Sequence, residues 1–194
     1  MLAGDPVSQF GAWLAEAAAA GLPEPNAMVL STVSAQGWPR SRSVLLKAHG
    51  PEGFTFYTNR TSGKGQDLAA TPRASLLFPW YGLQRQVIIQ GAVTPLSQEE
   101  SEPYFRSRPR GSQLGAWTSR QSTVIASREV LDERYAELRR RWPEPVAVPM
   151  PDFWGGYRVR HEIVEFWQGR ANRLHDRLRY RRDGDGWLVE RLSP

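Results

Sequence analysis

Apolar and polar residues alternate over several short segments of this chain, with the period of two that is typical of β-strands burying one face. The clearest segment is 86–93, which alternates around Val87 and Ile89. Further strands are predicted at 27–33, 40–48, 74–80 and 157–167, and at 53–58, which is rich in aromatic and β-branched residues. Near the C-terminus, the sequence Asp183-Gly184-Asp185-Gly186 predicts the turn of a β-hairpin that spans about residues 177–192.

Spacings of three and four between apolar residues predict helices at four places. The first, over about residues 6–20, puts Phe10, Trp13, Leu14 and Ala17 on one face. The others are predicted at 61–70, 98–105 and 127–141. Because the helices do not alternate one for one with the strands, we expect a mainly β fold with inserted helices (α+β), built on a closed or half-closed antiparallel barrel. We expect one domain over residues 1–194, with the proline-rich stretch 142–151 as an exposed linker.

Composition and motifs exclude several kinds of chemistry. The chain has no cysteine, so disulfides and thiolate metal sites are ruled out, and a reducing, cytoplasmic location is expected. His49, His161 and His175 are scattered and form no metal-binding motif, so no metal is predicted. Gly-x-Ser-x-Gly and Gly-x-Gly-x-x-Gly are absent, and Ser62-Gly63-Lys64 fails as a P-loop because a glycine follows the lysine. The sequence shows no signal peptide or membrane-spanning stretch, and no membrane partner is expected.

The charge of the chain favours anionic ligands. The formal net charge is +5 and the isoelectric point is about 10.0. Cations are mixed with hydroxyl or amide groups in four segments, 40–47, 57–64, 104–113 and 167–177. Any one such segment is more often a solvated face than a site. Four of them suit two phosphorylated ligands better than a continuous polyanion, so nucleic acid is not the predicted partner.

The segment 167–177 combines a tryptophan, three arginines and a histidine within eleven residues. Arg173, His175 and Arg177 are two residues apart, so an extended backbone would direct all three side chains to one face, which has to meet water or an anion. The alternative is a solvated edge strand in which Asp176 screens its neighbours.

Several ordered motifs carry a resemblance to a known family. They are Arg42 to Lys47, Phe56-Tyr57-Thr58-Asn59, Ser75 to Trp80, Ser107-Arg108-Pro109-Arg110, Gln113 to Trp117 with Gln121-Ser122, Phe153-Trp154-Gly155-Gly156, Glu165 to Gly169, and Arg173-Leu174-His175-Asp176-Arg177. With these, nearly the whole chain resembles the pyridoxine/pyridoxamine 5′-phosphate oxidases, which use flavin mononucleotide (FMN). The resemblance implies a six-stranded antiparallel split barrel of the FMN-binding type. It also implies a homodimer with one FMN in each of two clefts between the subunits.

The resemblance also implies roles for individual residues. Those expected to hold FMN are Arg42, Ser43, Val44, Leu45, Leu46, Lys47, Tyr57, Thr58, Lys64, Gln86, Gln121, Ser122, Trp167 and Arg177. Those expected to bind the substrate are Lys47, Tyr104, Arg108, Ser112, Arg173, Leu174 and His175. Within the second set, Arg173 and His175 are the expected catalytic pair over the pyridine ring.

Two positions depart from the family pattern. Relatives often have a second basic residue just before the lysine at position 64, where this chain has Gly63. Either Arg60 compensates by reaching over the helix start, or FMN binds more weakly. Relatives also commonly have a longer N-terminal arm over the substrate, so we expect a shortened or absent lid.

The implied activity is the oxidation of pyridoxine or pyridoxamine 5′-phosphate to pyridoxal 5′-phosphate, with O2 as electron acceptor and H2O2 as product. One alternative is a paralogous flavin oxidase of another aromatic substrate, as in phenazine biosynthesis. Another is a non-catalytic module that binds FMN or pyridoxal phosphate. The family resemblance implies no partner beyond the second subunit, the phosphorylated pyridine and O2.

Overall fold

The structure is a computed structural model that describes residues 3–194. The α-helices are α1 (Pro6–Ala19), α2 (Gly63–Ala70), α3 (Gln98–Ser107), α4 (Arg110–Thr118) and α5 (Glu129–Arg141). The strands are β1 (Ala27–Val33), β2 (Pro39–Leu45), β3 (Ala48–Gly50), β4 (Gly53–Asn59), β5 (Arg73–Trp80), β6 (Arg85–Pro95), β7 (Trp154–Gln168), β8 (Asp176–Asp183) and β9 (Gly186–Leu192). Short 3-10 turns lie at Tyr81–Leu83 and Ala171–Arg173.

The strands form one antiparallel sheet in the order β2-β1-β5-β6-β7-β4-β3. Just after β2, the Lys47 N–H donates to the Thr55 carbonyl of β4 at 2.9 Å, so the sheet curls until its two ends meet. All the strands in this order except the three-residue β3 (β1, β2, β4, β5, β6 and β7) make up the curl, which confirms the predicted mainly β split barrel. The predicted C-terminal hairpin is also confirmed, because β8 pairs with both β7 and β9.

The core lies inside the curl and is closed by α1. Asp5 caps this helix by accepting from the Val7 and Ser8 N–H groups, and Pro6 occupies its first turn. Phe10 is fully buried and its ring contacts those of Phe54 and Phe78. The strands contribute alternate residues, as the period of two predicts. In β6, Val87 and Ile89 are fully buried.

A second apolar cluster joins the helices that follow β6 to β7. Phe105, Leu114 and Trp154 are buried there. The sequence pattern missed α4, which has only nine residues and carries two glycines. The prediction of an exposed linker at 142–151 was wrong in part. Val148 is buried in this cluster, and the Trp117 indole donates to the Pro149 carbonyl at 2.7 Å.

Within residues 3–194, no helix has the length and apolar character needed to cross a membrane. The same residues contain no group of three or more His, Cys, Asp or Glu side chains placed to hold a metal ion.

Candidate active site

A cleft of about 730 Å³ collects most of the residues predicted to bind cofactor and substrate phosphate. Strands β2 and β4 form part of its wall, and α2, α3 and the segment after α4 complete it. The predicted residues that line the cleft are Arg42, Ser43, Val44, Leu45, Lys47, Tyr57, Thr58, Lys64, Tyr104, Arg108, Gln121 and Ser122. Segments far apart in sequence therefore meet in one place, as the resemblance implied.

Lys64 forms one polar cluster in this cleft. Its Nζ donates to Gln121 Oε1 at 2.9 Å and to Thr58 Oγ1 at 3.2 Å. Lys64 lies in the first turn of α2, where Ser62 caps the helix by accepting from the Gly65 N–H. Burial, and then the nearby charge of Arg42, lower the pKa of Lys64. A bound anion would offset both effects, since it supplies the counter-charge and the hydrogen-bond acceptors that water supplies elsewhere.

Asp67, which sequence reasoning did not single out, fixes the cationic wall beside Lys64. Its carboxylate is buried and accepts from Thr32 Oγ1 at 2.7 Å. It also pairs with Arg40 at 3.2 Å and Arg42 at 3.5 Å. Arg42 donates in addition to the Leu30 carbonyl and the Thr32 hydroxyl. Burial lowers the pKa of Arg42 and Asp67 opposes that effect, so the carboxylate both orients this guanidinium and keeps it charged.

Stacked aromatic rings form another wall of the cleft. The Tyr57 ring lies 4.2 Å from that of Tyr104 and 5.4 Å from that of Trp154, in both cases stacked. This packing requires a glycine at position 156, opposite Tyr57 in the β4–β7 pairing, because a Cβ there would come within 2.9 Å of the Tyr57 ring. Lys47 Nζ lies 5.8 Å from the centre of the Tyr104 ring. The wall thus offers flat apolar faces beside a cation.

Arg108 adds a cation whose hydrogen bonding is incomplete. Its guanidinium stacks over Trp154 at 4.8 Å, and burial lowers its pKa. Among the described residues, its buried Nη1 has no hydrogen-bond partner. A buried guanidinium N–H without an acceptor is costly, so this atom indicates a place for an anionic ligand.

Of the predicted ring-facing pair, His175 lies in a different pocket of the same chain, whereas Arg173 is not among the residues that line it. This pocket has a volume of about 300 Å³ and includes Gln86, Trp167 and His175. The imidazole lies 4.7 Å from the Trp167 ring. Its Nδ1 accepts from the Arg170 N–H at 3.1 Å, so in the neutral imidazole the proton is on Nε2, which is the donor available to a ligand.

The hypothesis of an extended backbone through 173–177 was wrong. Residues Ala171–Arg173 form a 3-10 turn in which φ is 57° at Asn172 and 62° at Arg173, and β8 begins only at Asp176. Arg173 and Leu174 are exposed on this turn. Arg177 lies on β8 and pairs with Glu165 at 2.7 Å.

Two other predicted residues lie outside the lining of the large cleft. The Leu46 side chain is buried in the core, and its N–H donates to the Asn26 carbonyl. Ser112 is exposed on the first turn of α4.

Comparisons with known proteins agree with this geometry. Residues 14–141 match the family model described as pyridoxamine 5′-phosphate oxidase. Residues 154–194 match the one described as pyridoxine 5′-phosphate oxidase C-terminal dimerisation region. The chain belongs to the pyridoxine/pyridoxamine 5′-phosphate oxidase family.

Individual relatives of this oxidase family cover almost the whole chain. The chain is 56% identical to a pyridoxine/pyridoxamine 5′-phosphate oxidase of Salinispora arenicola, over 100% of this chain and 88% of the relative. It is 59% identical to one of Frankia alni, over 97% of this chain and 80% of the relative. Among solved structures, it resembles PhzG from Burkholderia lata in complex with tetrahydrophenazine-1-carboxylic acid. The TM-score is 0.93 at 34% identity, over 99% of this chain and 94% of the other.

An arginine does lie beside Gly63, but it is Arg40 and not the predicted Arg60. The Arg60 guanidinium donates to the Leu96 carbonyl and is not among the cleft residues, so the prediction that it substitutes was wrong. Arg40 and Trp154 do line the cleft. The sequence did contain a signal for Trp154, because it belongs to one of the quoted motifs.

Proposed function

We propose that this chain is an FMN-dependent oxidase of pyridoxine or pyridoxamine 5′-phosphate that produces pyridoxal 5′-phosphate. The observation that carries the proposal is the single cleft that joins two cationic clusters across a wall of stacked aromatic rings. Two phosphorylated ligands with flat rings, held side by side, match such a cleft in charge and shape.

The cluster around Lys64 suits the phosphate of FMN. Lys64 and Arg42 supply positive charge, and Thr58 and Gln121 supply polar groups. When bound, FMN would accept a hydride from the substrate and pass the electrons to O2, which is reduced to H2O2. The protein's contribution is to bind the cofactor and to place the substrate beside it.

The cluster around Arg108 suits the phosphate of the substrate. Lys47 and Arg108 are cations beside the Tyr104 ring, and the buried Nη1 of Arg108 lacks an acceptor that a phosphate oxygen would provide. Ser112 lies at the start of α4 and is not among the residues that line the cleft.

A second copy of the chain would bring the ring-facing pocket to the cleft. In one chain the phosphate clusters and His175 line different pockets. We therefore infer a homodimer in which Trp167, Arg173 and His175 of one subunit face the cleft of the other. There the Nε2–H of His175 and the Arg173 guanidinium would hold the substrate's ring hydroxyl and keep its reacting carbon against the flavin.

The decisive experiment mixes the purified protein with pyridoxamine 5′-phosphate in the absence of oxygen. We expect a yellow protein whose flavin absorbance bleaches and returns when air is admitted, with formation of pyridoxal 5′-phosphate. A protein that binds flavin but is not bleached by pyridoxamine or pyridoxine 5′-phosphate contradicts the proposal and favours a non-catalytic binding module.

A phenazine-type oxidase is the second candidate, and it is favoured by the similarity to PhzG. The cluster of Lys47, Tyr104 and Arg108, in which the buried Arg108 Nη1 has no hydrogen-bond partner within residues 3–194, argues against it, because a carboxylate carries one negative charge and would match two cations less well than a phosphate monoester does. Bleaching by a reduced phenazine carboxylic acid and not by the phosphorylated pyridines would reverse this ranking.

A further inference from the structure

We infer that Arg40 is a cofactor-binding residue of this chain, and that it provides beside Lys64 the second cation that position 63, a glycine, cannot provide. The inference rests on the proposed function, since the ligand in question is the phosphate of FMN.

Arg40 occupies the space that a side chain at position 63 would enter. A Cβ on Gly63 would lie 4.0 Å from Nη1 of Arg40 and 3.6 Å from Oγ of Ser122, so it would point between two residues that line the cleft. The Arg40 side chain is 48% exposed, which leaves part of its guanidinium free to bind a ligand.

The position of Arg40 follows from the strand that carries it. Arg40 and Arg42 are two residues apart on β2, so they lie on the same face, and Arg40 pairs with Thr32 of β1. Asp67, at the beginning of the second turn of α2, pairs with both guanidinium groups and holds them beside that helix.

The charge balance indicates that Arg40 is more than the ion-pair partner of Asp67. The cluster contains three cations, Arg40, Arg42 and Lys64, and one carboxylate, Asp67, so its formal charge is +2. A phosphate monoester carries about −1.5 to −2 at neutral pH. Without Arg40, one of the two cations held by Asp67 would be lost and the cluster would neutralise only part of that charge.

The test is a titration of the flavin-free full-length protein with FMN, followed by quenching of flavin fluorescence, with riboflavin as the probe that lacks the phosphate. We expect Arg40→Ala to weaken FMN binding about tenfold, the effect of losing one partly exposed charge-assisted contact. Riboflavin binding should stay within about twofold of wild type. Arg73→Ala is the matched control, because it removes an exposed strand arginine that pairs with Glu162 away from the cleft, and it should leave FMN binding unchanged.

The double variant Arg40→Ala/Gly63→Arg separates a role in binding from a role in stability. A Cβ at position 63 has only ordinary contacts, so the new arginine can enter the vacated space and should restore most of the FMN affinity. The inference is overturned if Arg40→Ala binds FMN as wild type does, if it loses riboflavin equally, or if the double variant gains nothing. A wild-type protein that binds neither flavin instead overturns the proposed function on which the inference rests.

Discussion

His161 should make the stability of this protein depend on pH. Its side chain is 2% exposed, stacked on Trp187 at 5.3 Å and in edge contact with Phe54. Within residues 3–194, its Nδ1 has no hydrogen-bond partner. Burial, helped by the charges of Arg182 and Arg160 and opposed by Asp5, lowers the pKa of His161 from 6.5 to about 4.

The sign and size of the effect follow from this pKa. Because the folded-state value is depressed, the unfolded chain binds the proton first, and the folded state loses stability as the pH falls from 6.5 to about 4. The pKa difference corresponds to about 3 kcal/mol, with a steepest slope of about 1.4 kcal/mol per pH unit. Well above pH 6.5 both states are neutral at this site and the contribution is constant.

The assay is urea unfolding at several pH values between 7 and 4, at fixed protein and flavin concentrations, since binding and assembly also shift stability. His161→Phe keeps the ring stack and removes the titrating group, so its free energy of unfolding should fall about 3 kcal/mol less than that of wild type over this range. His49→Phe is the control. Its ring is exposed and its pKa is lowered by partial burial alone, so in this variant most of the pH dependence of the free energy of unfolding should remain. Equal slopes in wild type and His161→Phe would refute the reasoning.

Three further predictions concern the cleft. Arg108→Ala should raise KM for the phosphorylated substrate and leave kcat nearly unchanged, because it removes about 1.5–3 kcal/mol of binding free energy. Steady-state kinetics measure both constants, and a large fall in kcat with constant KM would contradict the prediction. Arg173→Ala and His175→Ala should lower kcat while flavin content and melting temperature stay near wild type; joint loss of flavin and stability would indicate that these residues only brace the turn. Asp67→Asn should lower the free energy of unfolding by about 1.5–3 kcal/mol, because Arg42 loses its counter-charge, and urea unfolding tests this; unchanged stability would show that solvent already screens the pair.

The sequence by itself determined the elements and the local chemistry. Alternation placed β6 around Val87 and Ile89, and the apolar face of α1 placed Phe10 in the core. Those signals are local, because each depends only on the period of one element and on the residues that cap it. The ordered motifs likewise determined the family, and with it the residues now found together in the cleft.

The tertiary structure alone decided how distant charges combine. No local pattern marks Asp67 as the carboxylate that holds Arg40 and Arg42, because its partners lie on a strand more than twenty residues earlier in the chain. For the same reason, Arg40 rather than Arg60 lies beside Gly63. The prediction of an extended backbone through 173–177 failed because Asn172 and Arg173 adopt positive φ. The spacing of charged side chains in the sequence contains no signal for that conformation. Period and composition describe what each segment buries, whereas the site depends on which segments the curled sheet brings together.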